Sequence, residues 1–137
     1  MNDCDYFRAG RSDTSVEALY VLACNESLKI RARVAENPAT PELLLQDLSR
    51  DRNEEVRIAV GRNPATPLRV ILQLAFDQHD DVRYSLAENA STHLIILLCL
   101  ANDENPYVSD RALKTMQRIA LGGKSKVGQR SRKPAHG

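Results

Sequence analysis

Residues 63–67 of the chain read Asn-Pro-Ala-Thr-Pro, and residues 37–41 carry the same five amino acids 26 positions earlier. Residues 89–92 continue the series as Asn-Ala-Ser-Thr, with the prolines lost. The same step relates three further columns of residues: Ile30-Arg31, Val56-Arg57 and Val82-Arg83; Leu22, Leu48, Leu74 and Leu100; Asn25, Asp51, Asp77 and Asp103. Self-similarity at a fixed step of a few tens of residues predicts a fold built from repeated supersecondary units.

The first half of each repeat predicts a short helix. We expect Thr40 to be its N-cap and Pro41 its first helical residue, since the N–H that proline lacks has no intrahelical partner there. Leu44, Leu45 and Leu48 then fall on one face, as the helical period requires. This helix therefore presents an aliphatic face for packing.

The second half predicts another short helix, with Val56, Ala59 and Val60 on one face. Asn63 ends it, because a residue that precedes proline is pushed out of the α region. Neither helix reaches the dozen or so residues that an isolated helix needs for stability in water. The units must therefore stack, burying their aliphatic columns against their neighbours.

The segment from Val56 to Asp77 spells Val-Arg-x-Ala-Val-x-x-Asn-Pro-x-Thr-Pro-x-x-x-Ile-x-x-Leu-x-x-Asp. This pattern resembles the leucine-rich repeat variant family of bacterial proteins, and the likeness covers roughly residues 14–115. The resemblance implies an all-α fold: a right-handed α-solenoid of two-helix units, in which α-helices alternate with shorter, partly 3₁₀ helices. At least one relative carries an iron–sulfur cluster, but only Cys4 precedes the repeats here and a cluster generally needs four thiolates. We therefore expect no cofactor.

The chain divides into three regions. Residues 1–13 depart from the repeat and are expected to form an N-terminal cap, residues 14–121 form a helical repeat domain of about four units, and residues 122–137 form a tail. Gly122-Gly123 is predicted to end the last helix. The tail is basic and predicted to be disordered, because it cannot bury enough apolar surface to fold. Its charged residues are Lys124, Lys126, Arg130, Arg132 and Lys133.

Composition excludes some classes of protein and partner. The longest apolar stretch, from Leu94 to Ala101, is far shorter than a membrane span, so no membrane association is expected. The three cysteines are odd in number and show no paired spacing, which favours a reduced, cytoplasmic compartment. Residues 1–121 hold all 18 acidic and 14 of the 19 basic residues, so a mildly acidic body precedes the basic tail.

Arg31, Arg57 and Arg83 occupy one column of the repeat and admit two interpretations. Stacked units would place them about 8–10 Å apart, a line of cations for phosphates or an acidic partner. Alternatively each pairs with the residue six positions earlier, Asp51 with Arg57 and Asp77 with Arg83. We favour the structural interpretation, because repeated columns usually hold units together.

No arrangement of residues indicates catalysis or metal binding. Asn37, Asn63 and Asn89 fit helix capping better than a ligand-binding ladder. The pairs Glu54-Glu55 and Asp80-Asp81 suit the first turn of a helix. His79, His93 and His136 have no metal-ligand spacing, and no Gly-rich phosphate loop or nucleophile elbow is present. We expect no enzyme.

These observations favour a protein-interaction scaffold, whose variable positions between the fixed columns set specificity. The expected partner is another protein. The alternative is a nucleic-acid-associated module that combines the arginine column with the basic tail. Candidate surface residues, besides that column, are Arg62, Arg69 and Tyr84, together with Gln46, Gln73 and Glu88.

Overall fold

The computed structural model describes residues 3–131, and it describes side chains for residues 3–122. Within that range the chain is all-helical and contains no strand, which confirms the predicted fold class. The helices are α1 Asp3–Gly10, α2 Val16–Leu22, α3 Leu28–Glu36, α4 Glu42–Leu48, α5 Glu54–Arg62, α6 Leu68–Leu74, α7 Asp80–Glu88, α8 Leu94–Leu100 and α9 Pro106–Ser131.

Short and long helices alternate along the chain. The seven-residue helices α2, α4, α6 and α8 begin 26 residues apart, as do the nine-residue helices α3, α5 and α7. We call residues 14–39, 40–65, 66–91 and 92–117 units 1 to 4, each with a short helix followed by a long one. Long helices of consecutive units pack on one another: α3 on α5, α5 on α7, and α7 on α9. Helix α1 packs against α3, in the place that the long helix of a preceding unit would take.

The core consists of the aliphatic columns that the repeat defines. Val56, Val60 and Leu45 have no exposed surface, and Leu48 and Leu74 are almost completely buried. These side chains come from both helices of a unit and form one continuous cluster with their counterparts in the neighbouring units. Stability is therefore distributed along the array.

The threonine column does not cap the short helices as predicted. The Thr40 hydroxyl is buried and donates 2.6 Å to the Val34 carbonyl at the end of α3, and Thr66 bonds Val60 in the same way at 2.7 Å. Pro41, in extended conformation, is the N-cap of α4. The threonine hydroxyl instead satisfies one of the carbonyls that a helix C-terminus leaves without a partner.

Two other expectations about helices were wrong. Both helices of each unit are α-helical, and the described residues contain no 3₁₀ segment. Helix α9 continues past Gly122-Gly123 to Ser131. A glycine in a helix interior costs only about 1 kcal/mol, so a long helix can continue through two of them.

Among the residues that the structure describes, no helix is both long enough and apolar enough to cross a membrane.

Candidate interaction surface

The short helices α6 and α8 bury one side and expose apolar residues on the other. Val70 and Leu74 of α6, and Ile96, Leu97 and Leu100 of α8, are buried. Six large apolar side chains on these two helices and in the turn that follows α6 are between 45% and 71% exposed: Leu68, Leu72, Phe76, Leu94, Ile95 and Leu98. We call these six residues the apolar surface. Leu68 and Leu94 occupy one repeat position and Leu72 and Leu98 another, so the two helices present matching side chains.

The apolar surface exposes a large apolar area. Six side chains that are each about half exposed present on the order of 500 Å² of apolar area, near the upper end for the largest patch of a monomeric soluble protein. The short helices of units 1 and 2 are negatively charged. Helix α2 carries Glu17, helix α4 carries Glu42 and Asp47, and neither helix has a basic residue. These two helices also expose apolar side chains: Val16, Tyr20 and Val21 on α2 and Leu43 on α4. The short-helix side is therefore apolar throughout, but its short helices carry acidic residues only in units 1 and 2.

Sequence analysis missed the apolar surface, although a signal was present. Residues 94–100 read Leu-Ile-Ile-Leu-Leu-Cys-Leu, with an apolar residue at every position. A helix that packs along one side can bury only part of such a segment. The remainder must face solvent or a partner.

The arginine column lies inside the array. Arg31, Arg57 and Arg83 are each less than a tenth exposed. Each guanidinium donates through Nε and Nη2 to both carboxylate oxygens of the aspartate 20 residues later: Arg31 to Asp51, Arg57 to Asp77 and Arg83 to Asp103, at 2.8–3.2 Å. Such two-pronged pairs are strong because both groups are charged and their geometry is matched.

The predicted pairing of Arg57 and Arg83 with the aspartate six residues earlier was therefore wrong, because the carboxylate partner lies one unit further along the chain. Nη1 of Arg57 donates to the backbone carbonyl of Asp51, six residues earlier, at 2.7 Å, whereas the carboxylate partner belongs to the next unit. Burial alone would raise the pKa of Asp51, but the hydrogen bonds from Arg31 and from the Asn53 N–H hold that pKa below its ordinary value. The hydrogen bond with Asp103 raises the pKa of Arg83. These arginines join consecutive units rather than form an open line of cations.

The asparagine column also joins units, in addition to its predicted local role. The Asn63 Oδ1 accepts from the Ala65 N–H at 2.9 Å, which stabilises the turn. Its Nδ2 donates to the carbonyls of Ala35 and Asn37 in the preceding unit, at 2.8 and 3.0 Å. Asn37 forms equivalent bonds to the carbonyls of Ala9 and Arg11, both at 2.8 Å.

Thr115, which replaces asparagine in unit 4, keeps one of these bonds between units. Its hydroxyl donates to the Ala87 carbonyl at 2.6 Å, and its side chain is buried. Ala87 occupies the repeat position of Ala35, so the bond joins units 3 and 4 as Asn63 joins units 1 and 2. A hydroxyl has one donor where a carboxamide has two, which accounts for the single bond.

Unit 3 is the exception in this column. Asn89 still accepts from the Ser91 N–H at 2.9 Å, but its Nδ2 makes no hydrogen bond within residues 3–122. A cleft of about 380 Å³ lies between units 2 and 3 at this point. Its walls include Gly61, Arg62, Asn63, Pro64, Leu68, Ile71, Asn89, Ser91 and His93.

The remaining candidate residues lie on different sides of the array. Arg62 is exposed and 3.5 Å from Glu88, while Arg69 of α6 is exposed and donates to Gln46 at 3.3 Å. Tyr84 is partly buried and accepts from Arg111 Nε at 3.2 Å. Gln73 is exposed on α6. The side chains of Lys124, Lys126, Arg130, Arg132 and Lys133 lie outside the described residues.

The acidic pairs and the histidines lie at helix starts. Glu54-Glu55 and Asp80-Asp81 occupy the first turns of α5 and α7, as predicted. His79 and His93 accept N–H bonds from Asp81 and Ile95 through Nδ1, both at 3.2 Å. Over the described part of the chain, no three His, Cys, Asp or Glu side chains are grouped as a metal site.

Comparison of the chain with protein-family models, with curated proteins and with solved structures finds no match.

Proposed function

We propose that this chain is a non-enzymatic protein-interaction scaffold and that the apolar surface of α6 and α8 is its principal recognition surface. The observation that supports this proposal is the exposure of six large apolar side chains on two consecutive units. Fully burying one such side chain contributes about 1.5–3 kcal/mol, so covering this area would favour a complex.

The proposed partner segment is a basic amphipathic helix. Helix-in-groove recognition uses apolar anchors one turn apart, a spacing that matches Leu68 with Leu72 and Leu94 with Leu98. The acidic side chains Glu17, Glu42 and Asp47 lie on the short helices that precede the apolar surface. A partner with lysine or arginine beyond its apolar anchors would complement them, and charge complementarity of this kind favours orientation and association rate.

A labelled amphipathic helix of leucine and lysine tests this proposal by fluorescence anisotropy with the full chain. We expect saturable binding that a peptide of the same composition in scrambled order does not reproduce. The double substitution Leu72→Ser with Leu98→Ser should weaken binding at least about tenfold, or ~1.4 kcal/mol. Leu43→Ser is the matched control, because Leu43 is 67% exposed on α4, outside the apolar surface.

Equal binding of the scrambled peptide, or no loss in the double variant, would contradict the proposal. Labelled DNA and RNA are run in parallel, with the full chain and with residues 1–121, at low and physiological salt. Nucleic-acid binding that needs the tail and falls steeply with salt would favour the alternative function. In the described part of the chain, the burial and pairing of Arg31, Arg57 and Arg83 weigh against that alternative.

A further inference from the structure

The cleft between units 2 and 3 exists where a repeated contact between units is missing. At the other junctions in the described chain, a side chain of the asparagine column donates to the carbonyl of Ala9, Ala35 or Ala87 in the preceding unit. The residue at the corresponding position of unit 2 is Gly61, and no side chain of the described unit 3 donates to its carbonyl. Gly61 and Asn89 both line the cleft.

Leu86 occupies the space beside Gly61 where the two units meet. Its column contains valine at positions 34 and 60 and alanine at position 112, so Leu86 is the largest member. A Cβ added to Gly61 would lie 3.1 Å from Leu86 Cδ2, so the two units already touch at this position. The larger side chain at this contact coincides with the one junction of the described chain at which the asparagine column makes no bond to the preceding unit.

Two residues that line the cleft are more exposed than their counterparts in other units. Leu45 and Leu97 are fully buried, but Ile71 in the same column is partly exposed and lines the cleft. Asn37 and Asn63 are at most 4% exposed, whereas Asn89 is partly exposed. The cleft therefore has in its lining the Asn89 amide, which donates no hydrogen bond in the described chain, the backbone of Gly61, and the apolar side chains of Leu68 and Ile71.

We propose that this cleft binds an amide group of a partner peptide. The N–H of that amide would take the place of the missing asparagine donor on the Gly61 carbonyl, and its C=O would accept from Asn89 Nδ2. An amide is a neutral group that carries its donor and its acceptor on two different atoms, and every peptide partner supplies such groups. The volume of about 380 Å³ is within the range of small-ligand pockets and admits a side chain with its flanking backbone.

Two sources of such an amide are distinguished by a pair of probes. Both are capped tripeptides, N-acetyl-glycyl-X-glycine N-methylamide, with X either glutamine or methionine. They share all main-chain amides, but only the first has a carboxamide side chain. NMR titration of the isotope-labelled full chain follows the side-chain amide of Asn89 and the backbone signals of Gly61 and Arg62. Leu68 belongs to both the cleft and the apolar surface, whereas Leu72 and Leu98 do not line the cleft. Unchanged binding of the probes to the Leu72→Ser, Leu98→Ser double variant would therefore separate this test from that of the apolar surface.

Saturable shifts with the glutamine probe alone would support a side-chain amide as the ligand, and equal shifts with both probes would support a main-chain amide. Asn89→Asp removes the donor but keeps the oxygen that accepts from Ser91 N–H, so we expect at least fivefold weaker binding in a folded protein. Leu86→Val should also weaken binding, because Asn89 can then approach Gly61 itself. Asn102→Asp, at an exposed asparagine away from the cleft, should bind normally. The absence of saturable shifts with both probes, or unchanged affinity in both the Asn89 and Leu86 variants, would overturn the proposal.

Discussion

The two asparagines of units 2 and 3 should respond very differently to the same substitution. Asn63→Asp replaces a buried Nδ2 that donates to two carbonyls, whereas Asn89→Asp replaces an Nδ2 without a partner in the described chain. In both variants the retained oxygen can still accept from the N–H two residues later. The exchange therefore separates the bond between units from the local turn.

The expected loss for Asn63→Asp follows from the two carbonyls that it leaves without a donor. Each buried acceptor left unsatisfied costs about 1–3 kcal/mol, and the new carboxylate is repelled by the carbonyl oxygens that it faces. We expect unfolding to become easier by about 4 kcal/mol near neutral pH, a large fraction of the ~5–15 kcal/mol that stabilises a typical domain. Asn89→Asp should change the free energy of unfolding by less than about 1 kcal/mol.

Urea denaturation followed by far-UV circular dichroism measures both values, and pH provides a second test of the cause. Burial beside carbonyls raises the pKa of the introduced carboxyl group in the folded state. The part of the destabilisation that comes from the charge should therefore be complete above that raised pKa, should shrink as the pH falls from the raised pKa towards the ordinary value of about 4, and should be absent below that value, where the group is neutral in both states. Equal losses in the two variants, or a loss for Asn63→Asp that does not change with pH, would refute the reasoning.

Two further perturbations test the contacts between units. Gly61→Ala should be nearly neutral or destabilising in the parent chain, because the added Cβ would meet Leu86. In the Leu86→Val background the same substitution should stabilise the fold by about 1 kcal/mol, since alanine has the higher helix propensity. If the effects of the two substitutions on the free energy of unfolding simply add in this double-mutant cycle, the packing argument is contradicted. The pKa of Asp51 is lowered in the folded chain, so its contribution to stability is present above its ordinary pKa of about 3.9 and is lost as the pH falls through the lower folded value. Asp51→Asn should therefore reduce the loss of stability that the parent chain shows on acidification. An unchanged acid dependence of the free energy of unfolding would contradict the role of the Arg31 pair.

Much of the fold could be predicted from the sequence because the repeat exposes its own constraints. The step of 26 residues placed the helices, and the aliphatic columns identified core residues such as Leu45 and Val60. The partner of Arg57 was not predictable in the same way. An aspartate occurs both six residues before and 20 residues after it, and only the packing of α5 on α7 determines which one it reaches.

The cleft was also beyond sequence analysis, for a related reason. Asn89 keeps the residue type and the local turn of its column, although both prolines of the motif are replaced, by Ala90 and His93. Whether its amide reaches the preceding unit depends on the distance between two helices, and the residues in contact there, Leu86 and Gly61, belong to other columns. A pattern that reports residue identity does not report that distance.

The junction between units 2 and 3 is held unequally at its two ends. Arg57 and Asp77 join the units near the start of their long helices through a buried ion pair at 2.8 Å. At the opposite end the asparagine bond is missing from the described chain, and the exposed pair of Arg62 and Glu88, at 3.5 Å, joins the two helix ends instead. A partner that fills the cleft would therefore add contacts at the end of the junction where the two units hold each other less tightly.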